Sequence, residues 1–366
     1  MKIRAAVTES KGAPFSIQEL ELDEPRPDEV RVRLEAAGIC HTDLIIRDQW
    51  YPVPLPAVLG HEGAGVVEAV GSAVAKVAVG DQVAMSYGSC GGCPGCRRGR
   101  PWVCHDFWGR NFGATRADGS TALRRDGRPV HSHFFSQSSF ATHAIATEGN
   151  VVKLDPSVPL DVVAPFGCGI QTGAGAVLNA LRPEAGTSIA VFGTGTVGLA
   201  AIMAAQVAGC TTIIGIDVRP GRLELARELG ATATVDASTS DPVESVRSAT
   251  RGLGADVALD TTGSPPVLAQ AVYSTSPGGS CGLIGAPPFG AEVALDVNQV
   301  LALGRTLKGI VEGESVPDVF LPRLIELWQQ GRFPVDRIMT NYGFDEIERA
   351  AHDAEDGRVI KPVLTF

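Results

Sequence analysis

Residues 188–210, SIAVFGTGTVGLAAIMAAQVAGC, decide the fold. The stretch is apolar enough to suggest a membrane span, but Gly193, Gly195 and Gly198 interrupt it. Strand, glycine turn and Ala-rich helix to about residue 208 is the better reading, and Thr212-Ile-Ile-Gly-Ile-Asp217 supplies the next strand of a βαβ unit. The turn Gly193-Thr-Gly-Thr196-Val197-Gly198 has the form G-x-G-x-x-G, and Asp217 follows Gly198 by 19 residues. That context is what a dinucleotide site requires. Glycines let the backbone approach a pyrophosphate, the helix N-terminus offers free N–H groups, and the acidic residue accepts from the adenosine ribose. A tight turn in a ligand-free domain is the competing reading, and the flanking strand, helix and Asp217 weigh against it.

The same texture continues outward. Arg222–Leu229 reads as a helix stopped by Gly230, and Asp256-Val-Ala-Leu-Asp and Ser280-Cys-Gly-Leu-Ile-Gly as buried strands, so residues 170–312 form a doubly wound parallel sheet. Residues before about 155 differ. Val30-Arg-Val-Arg-Leu alternates at period two, the run near residue 65 is a second strand, and Gly80-Asp-Gln-Val-Ala turns into a third. The last 55 residues are mixed, with amphipathic helices expected near Leu321–Gln330 and Phe344–Asp356. If residues 313–366 are a second piece of the β-rich domain of residues 1–169, that domain is discontinuous in sequence, with the α/β one between its parts.

A length of 366 residues fits two domains, and 44% hydrophobic with 20% charged residues fits a globular chain. The net charge of −10 excludes a nucleic-acid footprint, which needs a basic face. The N-terminus MKIRAAVTESKGAPF has no apolar core of a signal peptide, so a cytoplasmic, reducing location with no membrane partner is expected. Eight cysteines in such a compartment point to metal or catalysis more than to disulfides.

Four of them, Cys90, Cys93, Cys96 and Cys104, have the spacing C-x2-C-x2-C-x7-C. Two-residue gaps let thiolates converge on one tetrahedral ion, and four thiolates close its shell, so a structural zinc is expected. An iron–sulfur cluster uses similar runs and stays open on spacing alone. Cys40, His61 and Cys168 are scattered, yet together they supply the Cys2His set of a catalytic zinc with an open fourth position. Cys210 and Cys281 read as core.

These residues together resemble the zinc-dependent medium-chain alcohol dehydrogenases. The resemblance runs from Gly38-Ile-Cys-His-Thr-Asp43 through Gly60-His-Glu-Gly-Ala-Gly65, Gly80-Asp-Gln-Val83, the cysteine run and the glycine turn to Phe366. Asn111-Phe-Gly, Arg116-Ala-Asp-Gly-Ser120, Phe134-Phe-Ser-Gln-Ser-Ser-Phe140 and Phe166-Gly-Cys-Gly-Ile-Gln-Thr-Gly173 resemble the aryl-alcohol branch. The resemblance implies a GroES-like catalytic domain and a Rossmann domain, NAD, two zinc ions per chain, and interconversion of primary alcohols and aldehydes. It implies that Cys40, His61 and Cys168 ligate the catalytic zinc, that Asp43 holds the His61 ring, that Glu62 stands behind the metal, and that Thr42 takes the alcohol proton. It places Thr172 near the nicotinamide, Arg222 near the adenosine ribose, and His41 and Lys361 near the pyrophosphate. Trp50, Tyr51, Ser86 or Tyr87, Phe134 and Phe135 would line an apolar substrate slot. Many relatives carry a histidine three residues after the relay Ser or Thr; here that position is Ile45, which leaves His41 or the ribose hydroxyls and water as the outer proton route. A small-molecule substrate and a homo-oligomer, dimer or tetramer, are expected.

Three rival readings bear on function. A zinc-ribbon module that recruits nucleic acid is opposed by the acidic charge and the glycine turn. A vestigial dehydrogenase fold is opposed by the intact Cys40/His61/Cys168 set. Within the enzyme class, a thiol-adduct formaldehyde dehydrogenase or a monoterpenoid or aliphatic alcohol dehydrogenase is the alternative, and the aromatics near Phe134 favour a bulkier alcohol.

Overall fold

The alternating run at Val30 lies in a ten-residue strand, Glu29–Gly38, that organises one half of the protein. In the computed structural model, which describes residues 1–366, the chain divides into two compact units. Met1–Cys168, Val316–Ile325 and Val335–Phe366 form the first, and Gly169–Ser315 with Glu326–Pro334 the second. The chain therefore returns to the first unit in two pieces, not in the single run from residue 313 that its texture suggests.

The first unit is built on two largely antiparallel sheets. One carries Lys2–Thr8 and Ser16–Leu22 at its centre. The other orders Val151–Lys153, Gln82–Met85, Gly63–Val70, Glu29–Gly38, Lys361–Thr365 and Met339–Gly343, with His143–Thr147 also on Glu29–Gly38. Gly65 has to be glycine, because a Cβ there would lie 2.0 Å from the Arg33 carbonyl oxygen on the neighbouring strand. The C-terminal strand Lys361–Thr365 pairs antiparallel with Glu29–Gly38, Val363 opposite Gly38, which brings Lys361 next to the segment that follows Gly60.

The second unit holds six parallel strands, Ser188–Phe192, Thr212–Asp217, Ala233–Asp236, Ala255–Asp260, Thr275–Leu283 and Thr306–Gly309. Their spatial order is third, second, first, fourth, fifth, sixth. Strand order reverses between the first and fourth strands, and ligands of such sheets bind beyond the carboxyl ends there. The helix Thr196–Ala208 follows the glycine turn and is buried without interruption from Gly198 to Ala205. That explains its membrane-like hydropathy: at 13 residues it spans only ~20 Å, and no helix is long and apolar enough to cross a membrane.

Candidate active site and cofactor site

In the second unit the three glycines of the turn have different reasons to be glycine. Gly193 has φ +88°, and a Cβ would lie 2.6 Å from Thr261 Oγ1. At Gly198 a Cβ would stand 1.8 Å from the Gly193 carbonyl oxygen, so helix and turn could not close together. At Gly195 a Cβ would meet nothing nearer than Arg222 Nη1 at 4.0 Å. The protein itself does not require a glycine there; a group resting on the backbone would. Thr196 and Val197 open the helix beside it. Asp217 ends the second strand and is buried, its Oδ2 accepting from the Thr194 amide and hydroxyl and its Oδ1 from the Val218 and Arg219 amides. Arg222 lies half-buried, its Nε enclosed without a hydrogen-bond partner. Burial pulls its guanidinium pKa down against the opposing pull of Asp217. Thr172 sits in the helix Gly169–Gly175 with Oγ1 3.5 Å from the Glu312 carboxylate. A dinucleotide fits this cradle.

In the first unit, donor atoms of Cys40, His61, Glu62 and Cys168 all lie within 4.8 Å of one another. Cys40 is the N-cap of the short helix His41–Arg47, and the Asp43 side chain accepts from the Cys40 amide at 2.9 Å. The other Asp43 oxygen accepts from the Gly60 amide at 3.0 Å and meets His61 Nδ1 at 2.9 Å. Because a carboxylate only accepts, Nδ1 carries the proton, and the Nε2 lone pair faces the thiols. His61 Nε2 is buried and without a hydrogen-bond partner. Burial disfavours charge on His61, but Asp43 outweighs it and lifts its pKa, while Cys168 and His61 hold the Cys40 thiol well below its ordinary value. Two thiols, an imidazole nitrogen and a carboxylate thus converge on one point. The soft S and N donors match zinc.

Glu62 is enclosed behind these donors. Lys361 Nζ donates to both its oxygens, at 3.0 and 2.8 Å, and to the Ile39 carbonyl at 3.0 Å. Gly38 makes room, since a Cβ there would lie 2.0 Å from Glu62 Oε2. Lys361, expected near the pyrophosphate, is 1% exposed, and its ammonium is engaged by Glu62 and the Ile39 carbonyl beside the Cys40–His61–Cys168 cluster. Thr42 Oγ1 lies 3.7 Å from Cys40 Sγ. His41 is exposed and meets Trp50 edge-on at 6.4 Å, and Ile45 is buried.

The expected pocket aromatics separate. Phe135 stacks on the His61 ring at 4.5 Å and Phe134 meets it edge-on at 5.5 Å. Phe134 is enclosed on every side, so it supports the imidazole instead of lining a slot. Tyr87 is buried against Phe107, and the Ser86 hydroxyl donates to the Gly167 carbonyl. Trp50 stands apart and exposed. The rings that continue from Phe135 are Phe112 at 5.2 Å, Trp108 stacked on Phe112 at 4.3 Å, and Tyr51, 5.7 Å from Trp108. Trp108 escaped notice in the sequence and Phe112 figured there only within the Asn111-Phe-Gly motif, although Phe107, Trp108 and Phe112 fall within six residues.

The four lobe cysteines form a second cluster, with donor atoms within 4.8 Å. Cys93 and Cys96 sulfurs are 3.6 Å apart and those of Cys90 and Cys96 4.0 Å. Four thiolates at ~2.3 Å around one tetrahedral ion stand ~3.8 Å apart. A multi-iron cluster would spread them further, each on its own iron. Amides point at the sulfurs: Cys93 N to Cys90, Cys90 N to Cys104 and His105 N to Cys93. The Cys96 and His105 amides bring the Cys93 thiol down to about 6, while burial pushes Cys104 up to about 12. None of the eight cysteines is joined in a disulfide.

Comparison with known proteins agrees with this geometry. Residues 26–156 match the alcohol dehydrogenase GroES-like domain and residues 196–329 the zinc-binding dehydrogenase domain. Geraniol dehydrogenase of Castellaniella defragrans is 45% identical over 365 residues, 99% of this chain and 97% of the relative. Benzyl alcohol dehydrogenase from Acinetobacter calcoaceticus superposes with a TM-score of 0.97 at 47% identity, covering 100% of this chain and 99% of the other. A zinc-binding-domain alcohol dehydrogenase from Burkholderia ambifaria superposes at 0.98 with 51% identity over 100% and 99% of the two chains. With three whole-length likenesses of this strength behind the cysteine–histidine centre and the glycine cradle, the chain belongs to the zinc-binding medium-chain alcohol dehydrogenase family.

Proposed function

We propose that this enzyme interconverts primary alcohols and aldehydes whose reacting carbon adjoins a π system, benzylic or allylic, with NAD as hydride acceptor. Cys40, His61 and Cys168 hold a catalytic zinc, and Cys90, Cys93, Cys96 and Cys104 a structural one. The observation that carries this reading is the partnerless His61 Nε2 among two thiols, fixed there by Asp43. When bound, zinc supplies a Lewis acid that lowers an alcohol's pKa, and the nicotinamide accepts hydride. Thr42 accepts the alcohol proton, and His41, exposed at the start of the same helix, hands it to solvent in place of the histidine that Ile45 replaces. With the cofactor bound, Thr172 would adjoin the nicotinamide, Gly193, Gly195 and Gly198 would let the backbone approach the pyrophosphate, and Arg222 would adjoin the adenosine ribose. Asp217 favours NAD, since a 2′-phosphate would meet its charge.

Phe135, Phe112, Trp108 and Tyr51 supply the apolar wall. Ring contacts of this kind add about 0.5–1.5 kcal/mol each, and ~100 Å2 of extra buried apolar surface about 2.5 kcal/mol. Initial rates with NAD should therefore show kcat/KM for benzyl, cinnamyl or geranyl-type alcohols at least about tenfold above ethanol. Cyclohexylmethanol, which fills space without conjugation, separates fit from electronic activation. Ethanol or methanol as the better substrate would refute the substrate class and leave the family standing. We also propose a homo-oligomer in a reducing cytoplasm. In the second unit the strand Thr306–Gly309 ends its sheet, with Leu307 and Val311 exposed on it and beside it.

A further inference from the structure

The segment His133–Ser138 is the most contorted stretch of non-glycine backbone in the first unit. His133, Phe135, Ser136 and Ser138 have φ of 66°, 49°, 57° and 56°, four of the eleven left-handed non-glycine residues in the chain. Left-handed backbone is costly for residues with a Cβ and persists where surrounding contacts over-determine it. Here those contacts are dense. Ser138 Oγ donates to the Val58 carbonyl and accepts from the Phe134 amide, Ser136 Oγ donates to the Arg110 carbonyl, and Asn150 Nδ2 donates to the Ser136 carbonyl.

The contortion has a geometric product. In regular backbone consecutive side chains diverge, yet Phe134 and Phe135 both reach the His61 ring, one on its edge and one on its face. Gln137 turns inward between them and is buried. Its Nε2 donates to the His61 carbonyl at 2.9 Å and the Ser86 carbonyl at 3.2 Å, and its Oε1 accepts from the Gly63 amide at 3.1 Å. Two acceptors on one side and a donor on the other settle the orientation of the amide. His61 is thus restrained at its backbone by Gln137, on its face by Phe135, and at Nδ1 by Asp43.

From this geometry we infer that Phe135 and Gln137 are positioning residues that aim His61 Nε2 at the metal, and that the strained His133–Ser138 segment exists to bring both onto one histidine. The inference rests on the reading of Cys40, His61 and Cys168 as metal ligands. Residues that orient a ligand from behind commonly change metal affinity by roughly 10- to 100-fold.

The test is zinc release from the purified holoenzyme to a chromogenic chelator, with no substrate present. Cys168→Ser and Cys96→Ser identify which release phase belongs to which site. Phe135→Leu and Gln137→Ala should release the centre's zinc roughly 10- to 100-fold faster, with the lobe phase unchanged. Phe135→Tyr, which keeps the ring, should release it at close to the wild-type rate. Gln137→Met, which keeps the volume, replaces Gln137→Ala if that variant does not fold. Centre release within about twofold of wild type, or both phases accelerating together with a fall in Tm, would overturn the inference. If no release phase of the wild type disappears in Cys168→Ser, the ligand assignment itself is wrong and the inference goes with it.

Discussion

The cysteine lobe and the Cys40–His61–Cys168 centre hold similar donors in opposite ways. The lobe draws all four sulfurs from 15 consecutive residues, on tight turns at Gly91 and Gly99 and a helix of one turn, Pro94–Arg97. Three of its cysteines are partly exposed, and its polar support is its own backbone amides. The centre draws on three distant segments, and its polar support is side chains: Asp43 on His61, Lys361 on Glu62, Gln137 behind His61. Four thiolates saturate a tetrahedral ion, whereas two thiolates and one imidazole leave a position open. Local construction suffices for a closed shell. An open position has to be enclosed and aimed by the rest of the fold, and the difference predicts different consequences of damage.

The largest effect is expected at the centre. Cys168→Ser should lower turnover by roughly a thousandfold or more, since a Lewis acid supplies several kcal/mol to the reaction. NADH binding, followed by nicotinamide fluorescence, should remain near normal, because the glycine cradle belongs to the other unit. Near-normal turnover in this variant would remove the centre from the mechanism. Asp43→Asn is the next test. An amide can donate to Nδ1, which would put the imidazole proton on Nε2, where the metal must bind. Metal affinity should fall roughly 10- to 100-fold, and equilibrium dialysis against zinc buffers measures it; unchanged affinity would mean that Asp43 serves only as a helix cap.

The lobe should behave otherwise. Cys96→Ser is expected to lose one zinc and to lower Tm or disrupt assembly, while turnover per folded molecule changes by no more than a few-fold. A collapse of turnover at full stability would erase the distinction between the two sites. The cofactor site should lose discrimination and neither metal nor stability. Asp217→Gly removes the charge that opposes a 2′-phosphate, so the ratio of kcat/KM for NAD over NADP should narrow by roughly tenfold, about 1.4 kcal/mol. A wild-type preference for NADP would contradict the role given to Asp217.

What could be read from the sequence follows the same division. The glycine turn, Asp217 and the lobe are local patterns whose spacing fixes their geometry, and a doubly wound parallel sheet formed around the turn and Asp217 as expected. The ligands Cys40, His61 and Cys168 were visible only as a scattered set, and their convergence required the fold. The resemblance placed Lys361 near the pyrophosphate and said nothing of a contact with Glu62. Strand pairing turns it onto Glu62, where two buried opposite charges favour each other over anything outside. The roles of Gln137, Phe112 and Trp108 have no spacing rule in the sequence, because a buried amide and clustered rings are placed by contacts between distant segments: Gln137 with His61 across 76 positions, Phe112 with Phe135, and Trp108 with Tyr51. Phe134, placed in the pocket by the resemblance, is fully buried against His61, Phe112 and Phe135.

The metal content of the purified wild-type chain tests the account most directly. Elemental analysis should find two zinc ions per chain and neither iron nor acid-labile sulfide, with one zinc left in Cys168→Ser and one in Cys96→Ser. Iron with sulfide in place of the lobe zinc, or a single zinc in the wild type, would contradict it.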